Sequence, residues 1–127
     1  LKASLKPNTK LLVVNFPHNP TGFNPPAKMW EEIINICKEK KIFLFSDEMY
    51  RMSNNDGTGA LPSACAVYNN AITLCGMSKT LALPGLRIGW LCTKNTEIME
   101  MFASFKDYLS ICSAGPSEVL SIIGTDH

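Results

Sequence analysis

The sequence of 127 residues has almost no net charge, because 12 basic side chains are balanced by 11 acidic ones. A protein that binds nucleic acid or an anionic membrane through its overall charge needs a basic excess, which this composition lacks. The chain has only two histidines, His18 and His127. They are too far apart in the sequence to suggest a histidine cluster that binds zinc. We therefore expect no nucleic-acid partner and no metal site.

Long apolar runs and paired cysteines are also missing. No stretch reaches the roughly 20 consecutive apolar residues of a membrane span, and the first residues lack the layout of a signal peptide. The five cysteines are an odd number without a Cys-x-x-Cys pair. This indicates small buried side chains in a reducing compartment, not a disulfide framework. We expect a cytoplasmic protein that does not contact membranes.

The sequence does contain a lysine and an arginine within an otherwise apolar segment. Residues 71–75 are typical of a buried strand, and Lys79 follows the carboxyl end of that strand, where α/β sheets bind ligands. Although most lysines are simply solvated, desolvation and a neighbouring cation can make an amine there nucleophilic toward an aldehyde. Arg87 offers a planar set of donors that suits a phosphate. An amine and a phosphate anchor together suggest pyridoxal phosphate.

Two further strand-like runs, residues 10–16 and 42–46, also end in polar residues. The first is followed by an Asn-Pro-Thr-Gly sequence that begins at Asn19, and the second by Asp47 and Tyr50. If either group occurred by itself, it would more often form a turn, since asparagine and aspartate favour turns through hydrogen bonds to their own backbone. Their repeated position after buried strands favours a shared ligand site instead.

These segments resemble the class I/II aminotransferases, which are fold-type I enzymes that depend on pyridoxal phosphate. The resemblance is carried by three separated motifs, which occur in the family's order over residues 11–123. They are Asn-Pro-Thr-Gly from Asn19, Asp-x-x-Tyr from Asp47, and Gly-x-Ser-Lys from Gly76 followed by Pro-Gly-Leu-Arg-Ile-Gly from Pro84.

The resemblance implies a catalytic or cofactor-binding role for several residues. Lys79 would form a Schiff base with the cofactor and then act as general base and acid. Asp47 would pair with the protonated pyridine nitrogen and keep the ring an electron sink. Asn19 and Tyr50 would bond the phenolic oxygen of the cofactor, and Asn19 would also bond the substrate carboxylate.

Ser78 and Arg87 are the phosphate anchors that the resemblance implies. Gly76 stands where many family members carry a serine that also contacts the phosphate, which leaves that contact open. Glu48 follows Asp47 and so points to the opposite side of an extended segment. We do not expect Glu48 to be catalytic.

The predicted fold is a three-layer α/β/α domain with a mostly parallel sheet. The strand at residues 86–92 follows the strand at 71–75 too soon for a parallel crossover, so it should run antiparallel. Right-handed connections suggest the strand order 4-3-1-2, with a ligand crevice between strands one and three. Helices are predicted over residues 26–40, over 61–68 and from 96 onward with an interruption at Pro116, and a surface loop over 52–60.

The resemblance also implies how the chain is organised. Residues 1–127 would be a central fragment of the large, cofactor-binding domain, and residues from about 96 would lead toward a missing small domain. The family's Gly-rich phosphate-binding turn, ring-stacking aromatic residue and carboxylate-binding arginine have no counterpart here. We therefore expect the fragment to be inactive alone. The resemblance also implies that the full-length protein is a homodimer.

The expected function of the parent protein is the transfer of an amino group between an amino acid and a 2-oxo acid. Three alternatives stay open. The first is another pyridoxal-phosphate reaction, that of a lyase or a synthase, which would use the same lysine, aspartate and arginine. The second is an aminotransferase-like ligand-sensing domain of a transcription regulator, and the third is an inactive fragment or packing domain.

Overall fold

The computed structural model describes residues 1–53 and 60–126. Its helices and strands are β1 (Leu11–Asn15), α1 (Ala27–Lys40), β2 (Phe43–Asp47), α2 (Ala64–Val67), β3 (Ala71–Gly76), β4 (Gly89–Cys92), α3 (Thr96–Leu109) and α4 (Gly115–Thr125). The predicted surface loop over residues 52–60 lies mostly outside the described residues.

The strands form one sheet in the order β1-β2-β3-β4. The first three strands are parallel, with Val13 paired to Phe45 and Phe45 to Ile72. β4 runs antiparallel to β3, with Leu74 paired to Leu91. The predicted mostly parallel sheet with one antiparallel strand is confirmed, but the predicted strand order 4-3-1-2 is wrong.

The observed strand order follows from where α1 and α2 pack. Tyr68, which directly follows α2, places its hydroxyl 3.1 Å from the carbonyl oxygen of Cys37 in α1 and 2.9 Å from that of Ile42. Both helices therefore cover the same face of the sheet. Two right-handed crossovers that lie on the same face add each new strand to the same side of the preceding one. β2 therefore lies between β1 and β3. The strand order does not reverse among the described strands.

The core lies between α1 and this face of the sheet. The apolar stripe predicted for α1, at Trp30, Ile33, Ile34 and Cys37, is buried, and Leu44 of β2 is fully buried beside it. Trp30 also donates its indole N–H to a backbone carbonyl, which satisfies its only polar group. The helix ends where Lys41 takes a left-handed conformation, with φ of 52°.

The opposite face of the sheet borders α3. An open apolar groove of about 500 Å³ has Leu74 and Leu91 of the sheet on one side and Met99 and Phe102 of α3 on the other. This arrangement provides the third layer of the predicted α/β/α architecture. Within the described ranges, no helix has the length and apolar character to cross a bilayer.

The helix predicted from residue 96 is shorter than expected. It ends at Leu109, before Pro116 is reached, and Ile111 follows with a φ of 59°. Pro116 instead lies in the first turn of α4, where the missing N–H of proline costs no helical hydrogen bond. The proline therefore begins a second helix and does not interrupt the first.

Candidate functional site

The three loops that carry the predicted site residues leave the same edge of the sheet. β1, β2 and β3 are parallel and adjacent, so their carboxyl ends lie side by side. The loop after β1 carries Asn19, the turn after β2 carries Tyr50, and the loop after β3 carries Lys79. Because β2 is the middle strand of the three, Tyr50 lies between the other two residues.

Tyr50 contacts both neighbouring loops. The side-chain amide of Asn19 donates a hydrogen bond to the Tyr50 hydroxyl at 3.1 Å. On the other side, the Nζ atom of Lys79 lies 5.7 Å from the centre of the Tyr50 ring, within the range of a cation–π contact. Asn19 and Lys79 are exposed, and Tyr50 is partly buried. An amide, a phenol and an amine are therefore presented together on one open surface.

Asp47 is held at the end of β2 by its backbone and by one side-chain oxygen. Its carbonyl oxygen accepts from the Phe16 amide at 3.1 Å, and its Oδ1 accepts from the Met49 amide at 3.0 Å. Its other carboxylate oxygen makes no hydrogen bond with the residues that the structure describes. That oxygen is available to a cationic group of a ligand.

Asn15 is a site residue that the sequence patterns do not reveal. Its side-chain amide donates to the Asp47 carbonyl oxygen at 3.2 Å, and its Oδ1 accepts from the Asn19 backbone amide at 3.0 Å. Asn15 therefore ties the loop after β1 to the end of β2. The available signal is a polar amide at the end of an otherwise apolar strand.

The loop that carries Lys79 is closed at its base by the sheet. The Met77 amide donates to the Ile88 carbonyl oxygen at 3.0 Å, which extends the antiparallel pairing of β3 and β4. Ser78 and Arg87 are the next positions on either side of this closure. The two predicted phosphate anchors therefore start next to each other, although neither makes a hydrogen bond to Asn19, Asp47 or Tyr50 in the described part.

Arg87 is exposed and has a left-handed backbone conformation, with φ of 56°. Its guanidinium Nη1 donates to the Pro84 carbonyl oxygen at 2.7 Å. This conformation ends the short helical turn at Pro84–Leu86. The remaining guanidinium donors can bind an anion.

Thr80 links the Lys79 loop to the turn that carries Tyr50. Its hydroxyl donates to the carbonyl oxygen of Arg51 and lies 3.5 Å from that of Met49. Thr80 is not among the residues predicted from the sequence to form the site. The signal available there was a hydroxyl group directly after the lysine in an otherwise apolar loop.

Gly76 is required by close packing at the end of β3. A Cβ atom at this position would lie 3.0 Å from the Ile88 carbonyl oxygen and 3.1 Å from the Met49 Cε. A side chain at this position would therefore require the Ile88 carbonyl group or Met49 to shift by a few tenths of an ångström.

Cys75 lies in β3, just before the Lys79 loop, and is not a candidate nucleophile. Burial raises the pKa of its thiol to about 11, and the nearby Glu48 carboxylate acts in the same direction. The thiolate is the reactive form of cysteine. The thiol of Cys75 is therefore a poor nucleophile near neutral pH.

The family model described as aminotransferase class I and II matches residues 1–127. The aromatic-amino-acid aminotransferase 2 of Thermococcus litoralis is 32% identical over 114 residues, which cover 88% of this chain and 29% of that protein. The capreomycidine synthase of Streptomyces vinaceus is 27% identical over 127 residues, which cover 100% of this chain and 32% of that protein.

A solved structure of a PLP-dependent aminotransferase from Streptococcus suis superposes with a TM-score of 0.81 and 31% sequence identity, covering 91% of this chain and 30% of that one. The chain thus spans less than a third of the length of each of these three relatives.

Proposed function

Because the chain belongs to the aminotransferase class I and II family, we propose that it supplies the lysine-bearing part of a pyridoxal-phosphate site. The whole protein would transfer an amino group between an amino acid and a 2-oxo acid. The observation that carries this proposal is the contact series from Asn19 to Tyr50 to Lys79.

The residues present suit the chemical groups of this cofactor. Lys79 has the amine that the aldehyde requires, and Asn19 and Tyr50 offer hydrogen-bonding groups for the phenolic oxygen. Asp47 has a carboxylate oxygen available for the protonated ring nitrogen, and Arg87 has a guanidinium suited to the phosphate. The protein thus offers an anionic group for the cationic ring nitrogen and a cationic group for the anionic phosphate.

When bound, pyridoxal phosphate supplies a ring that withdraws electrons from the α-carbon of the amino acid. The Nζ atom of Lys79 would hold the cofactor until the amino group of the amino acid takes its place. The freed amine would then take the proton from the α-carbon and return it at another position. The carboxylate of Asp47 would hold a proton on the ring nitrogen. Tyr50 and Asn19 would orient the ring through its phenolic oxygen.

The phosphate would bind at the base of the Lys79 loop. Ser78 would donate a hydrogen bond from its hydroxyl, and Arg87 from its guanidinium. The hydrogen bond between Met77 and Ile88 supports this assignment, because it holds the backbones of the adjoining residues Ser78 and Arg87 close together. An anchored phosphate limits rotation of the cofactor, so the reacting carbon stays within reach of Lys79.

The proposal extends to the organisation of the whole protein. Residues 1–127 would form part of the large domain of a cytoplasmic homodimer, with residues from about 96 leading toward a small domain. The exposed apolar side chains of α3 and α4, among them Met101, Phe105 and Ile122, support further packing partners because large exposed apolar patches usually mark interaction surfaces.

A second candidate is a different reaction on the same cofactor. It is favoured by one observation, the similarity over the full chain to a protein named capreomycidine synthase. Proton transfer by Lys79 and ring protonation by Asp47 would serve an elimination or a cyclisation equally well. The two candidates therefore differ in the product formed and not in the residues described.

The experiment that tests the cofactor site uses the whole protein that carries this chain. Purified protein is mixed with pyridoxal phosphate, its visible absorbance is recorded, and the adduct is reduced with borohydride and located by peptide mapping. We expect the adduct on Lys79, its loss in Lys79→Ala, and its retention in Lys28→Ala, where an exposed lysine of α1 is changed. A wild-type protein with no adduct on Lys79 would contradict the proposal.

A second measurement separates the two candidate reactions. The protein is incubated with an amino acid and a 2-oxo acid, and the products are identified by mass spectrometry. Formation of the exchanged amino acid and 2-oxo acid supports transamination. Formation of an eliminated or cyclised product from the amino acid alone favours the second candidate.

A further inference from the structure

Glu48 is a buried carboxylate at the end of β2 that has no role in the proposed reaction. Only 5% of the residue is exposed, and it directly follows Asp47. Burying a carboxylate is unfavourable unless it is paired and hydrogen-bonded. Its partners therefore indicate what the residue does.

The carboxylate joins three parts of the fold. Its Oε1 accepts from the Ala64 backbone amide at 2.9 Å and from the hydroxyls of Ser63 and Thr73, each at 3.3 Å. Its Oε2 pairs with the Arg51 guanidinium at 2.9 Å. One side chain thus connects the end of β2 with the start of α2 and with β3.

The same residue closes the turn that carries Tyr50. The Arg51 backbone amide donates to the Glu48 carbonyl oxygen at 2.8 Å, in addition to the ion pair between their side chains. Two separate contacts therefore fix Glu48 and Arg51 relative to each other. Tyr50 lies between them in the sequence, so the turn fixes its backbone as well.

The turn is attached on its other side to the Lys79 loop. The Thr80 hydroxyl donates to the carbonyl oxygen of Arg51, and Thr80 directly follows Lys79. The turn is thus connected to the core through Glu48 and to the lysine loop through Thr80. A displacement of the turn would change the distance between the Tyr50 ring and the Lys79 amine.

We propose that Glu48 is a positioning residue that holds the Tyr50 turn against the Lys79 loop, with Thr80 as the contact on the loop side. The effect on catalysis rests on the proposed function. The effect on geometry does not, because every contact involved is made by this chain's own residues without the cofactor.

The test measures the Lys79 environment in cofactor-free protein. Lysines are converted to ¹³C-dimethyl-lysines, and the Lys79 resonance is assigned by its loss in Lys79→Arg. A lysine over the face of an aromatic ring is displaced upfield from an exposed lysine. We expect Glu48→Gln to move the Lys79 resonance toward the exposed position, and the matched Glu31→Gln, on the exposed side of α1, to leave it unchanged.

An unchanged Lys79 resonance in folded Glu48→Gln would overturn the proposal. If that variant does not fold, Thr80→Val and Thr80→Ser provide the test, because they change the partly buried end of the connection. We expect displacement in Thr80→Val and a nearly wild-type resonance in Thr80→Ser, which keeps the hydroxyl. Equal spectra for wild type and Thr80→Val would overturn the proposal in that case.

The catalytic consequence is measured separately in the whole protein loaded with cofactor. We expect kcat to fall about tenfold in Thr80→Val, because a small misplacement of reacting groups slows the chemical step. KM should change less, since the turn does not itself bind the substrate. A wild-type protein that has no adduct on Lys79 would refute the proposed function, whereas the resonance measurement would still decide the role of Glu48.

Discussion

The side-chain amide of Asn19 donates a hydrogen bond to the hydroxyl of Tyr50 over 3.1 Å, which joins the loop after β1 to the turn after β2. Tyr50 lies against Lys79 on its other side. The orientation of the phenol therefore depends on neighbours from both adjacent loops. Changes to Asn19 should affect a cofactor that the phenol contacts.

Replacing Asn19 with alanine is expected to weaken pyridoxal-phosphate binding about fivefold or more, because one hydrogen bond of about 1 kcal/mol is lost. The dissociation constant is measured by visible absorbance titration of the whole protein. Asn69→Ala, at another exposed asparagine, should bind like wild type. Equal affinities for the two variants would show that Asn19 does not act on the cofactor.

Replacing Gly76 with alanine is expected to destabilise the fold by about 1–3 kcal/mol, because the added Cβ meets the Ile88 carbonyl oxygen and Met49. Gly85→Ala is the matched control, since nothing lies within 4 Å of a Cβ there. Urea unfolding of both variants measures the difference. A Gly76→Ala protein as stable as Gly85→Ala would contradict the tight packing at the end of β3.

Replacing Tyr68 with phenylalanine is expected to cost about 1–3 kcal/mol of stability, since two backbone carbonyl oxygens lose their contact with the buried hydroxyl. Tyr108→Phe removes a hydroxyl from a residue that is 89% exposed and should have little effect. Denaturant unfolding is the measurement. A similar midpoint for both variants would mean that the Tyr68 hydroxyl does not hold α1 and α2 on one face.

Cys37 should make stability depend on pH above neutrality. Burial raises the pKa of its thiol from 9.0 to about 11, so the unfolded chain releases this proton at lower pH than the folded one. Its contribution is constant below about pH 9 and is lost as the pH rises toward 11. Unfolding of wild type and Cys37→Ala between pH 8 and 11 checks this, and the alanine variant should lose less stability over the range.

Alkylation gives an independent check on the same thiol. At pH 8 about one Cys37 side chain in a thousand is expected to be a thiolate, so iodoacetamide should modify the exposed Cys112 well before Cys37. Peptide mass spectrometry after timed quenching gives the order. Rapid modification of Cys37 in folded protein would show that it is not buried as described.

The fold elements follow from local patterns, but the strand order does not. The continuous apolar runs and the stripe from Trp30 to Cys37 predict β1, β2 and α1, and the short spacing after β3 predicts the antiparallel strand. The order depends on which face α2 covers. That face is fixed by contacts of Tyr68 with Cys37 and Ile42, which are 31 and 26 positions away in the sequence. No local pattern encodes contacts over such separations.

The site could be predicted where residue types are chemically unusual for their position, as for Lys79 and Arg87 in an apolar segment. Asn15 and Thr80 were missed because their effect comes from side-chain bonds to the backbone of other loops. Such contacts are visible only once the strands are arranged in space. Glu48 was predicted to be non-catalytic from the alternation of side chains along an extended segment. Its buried contacts with Ser63, Ala64 and Thr73 could not be predicted, for the same reason as those of Asn15 and Thr80.

The closure between Met77 and Ile88 has a consequence for how this protein can diverge. Ser78 and Arg87 adjoin the two residues joined by this backbone hydrogen bond. A bond between backbone groups depends little on side-chain identity. Substitutions in the loop between them that leave its backbone unchanged should therefore keep the two ends adjacent.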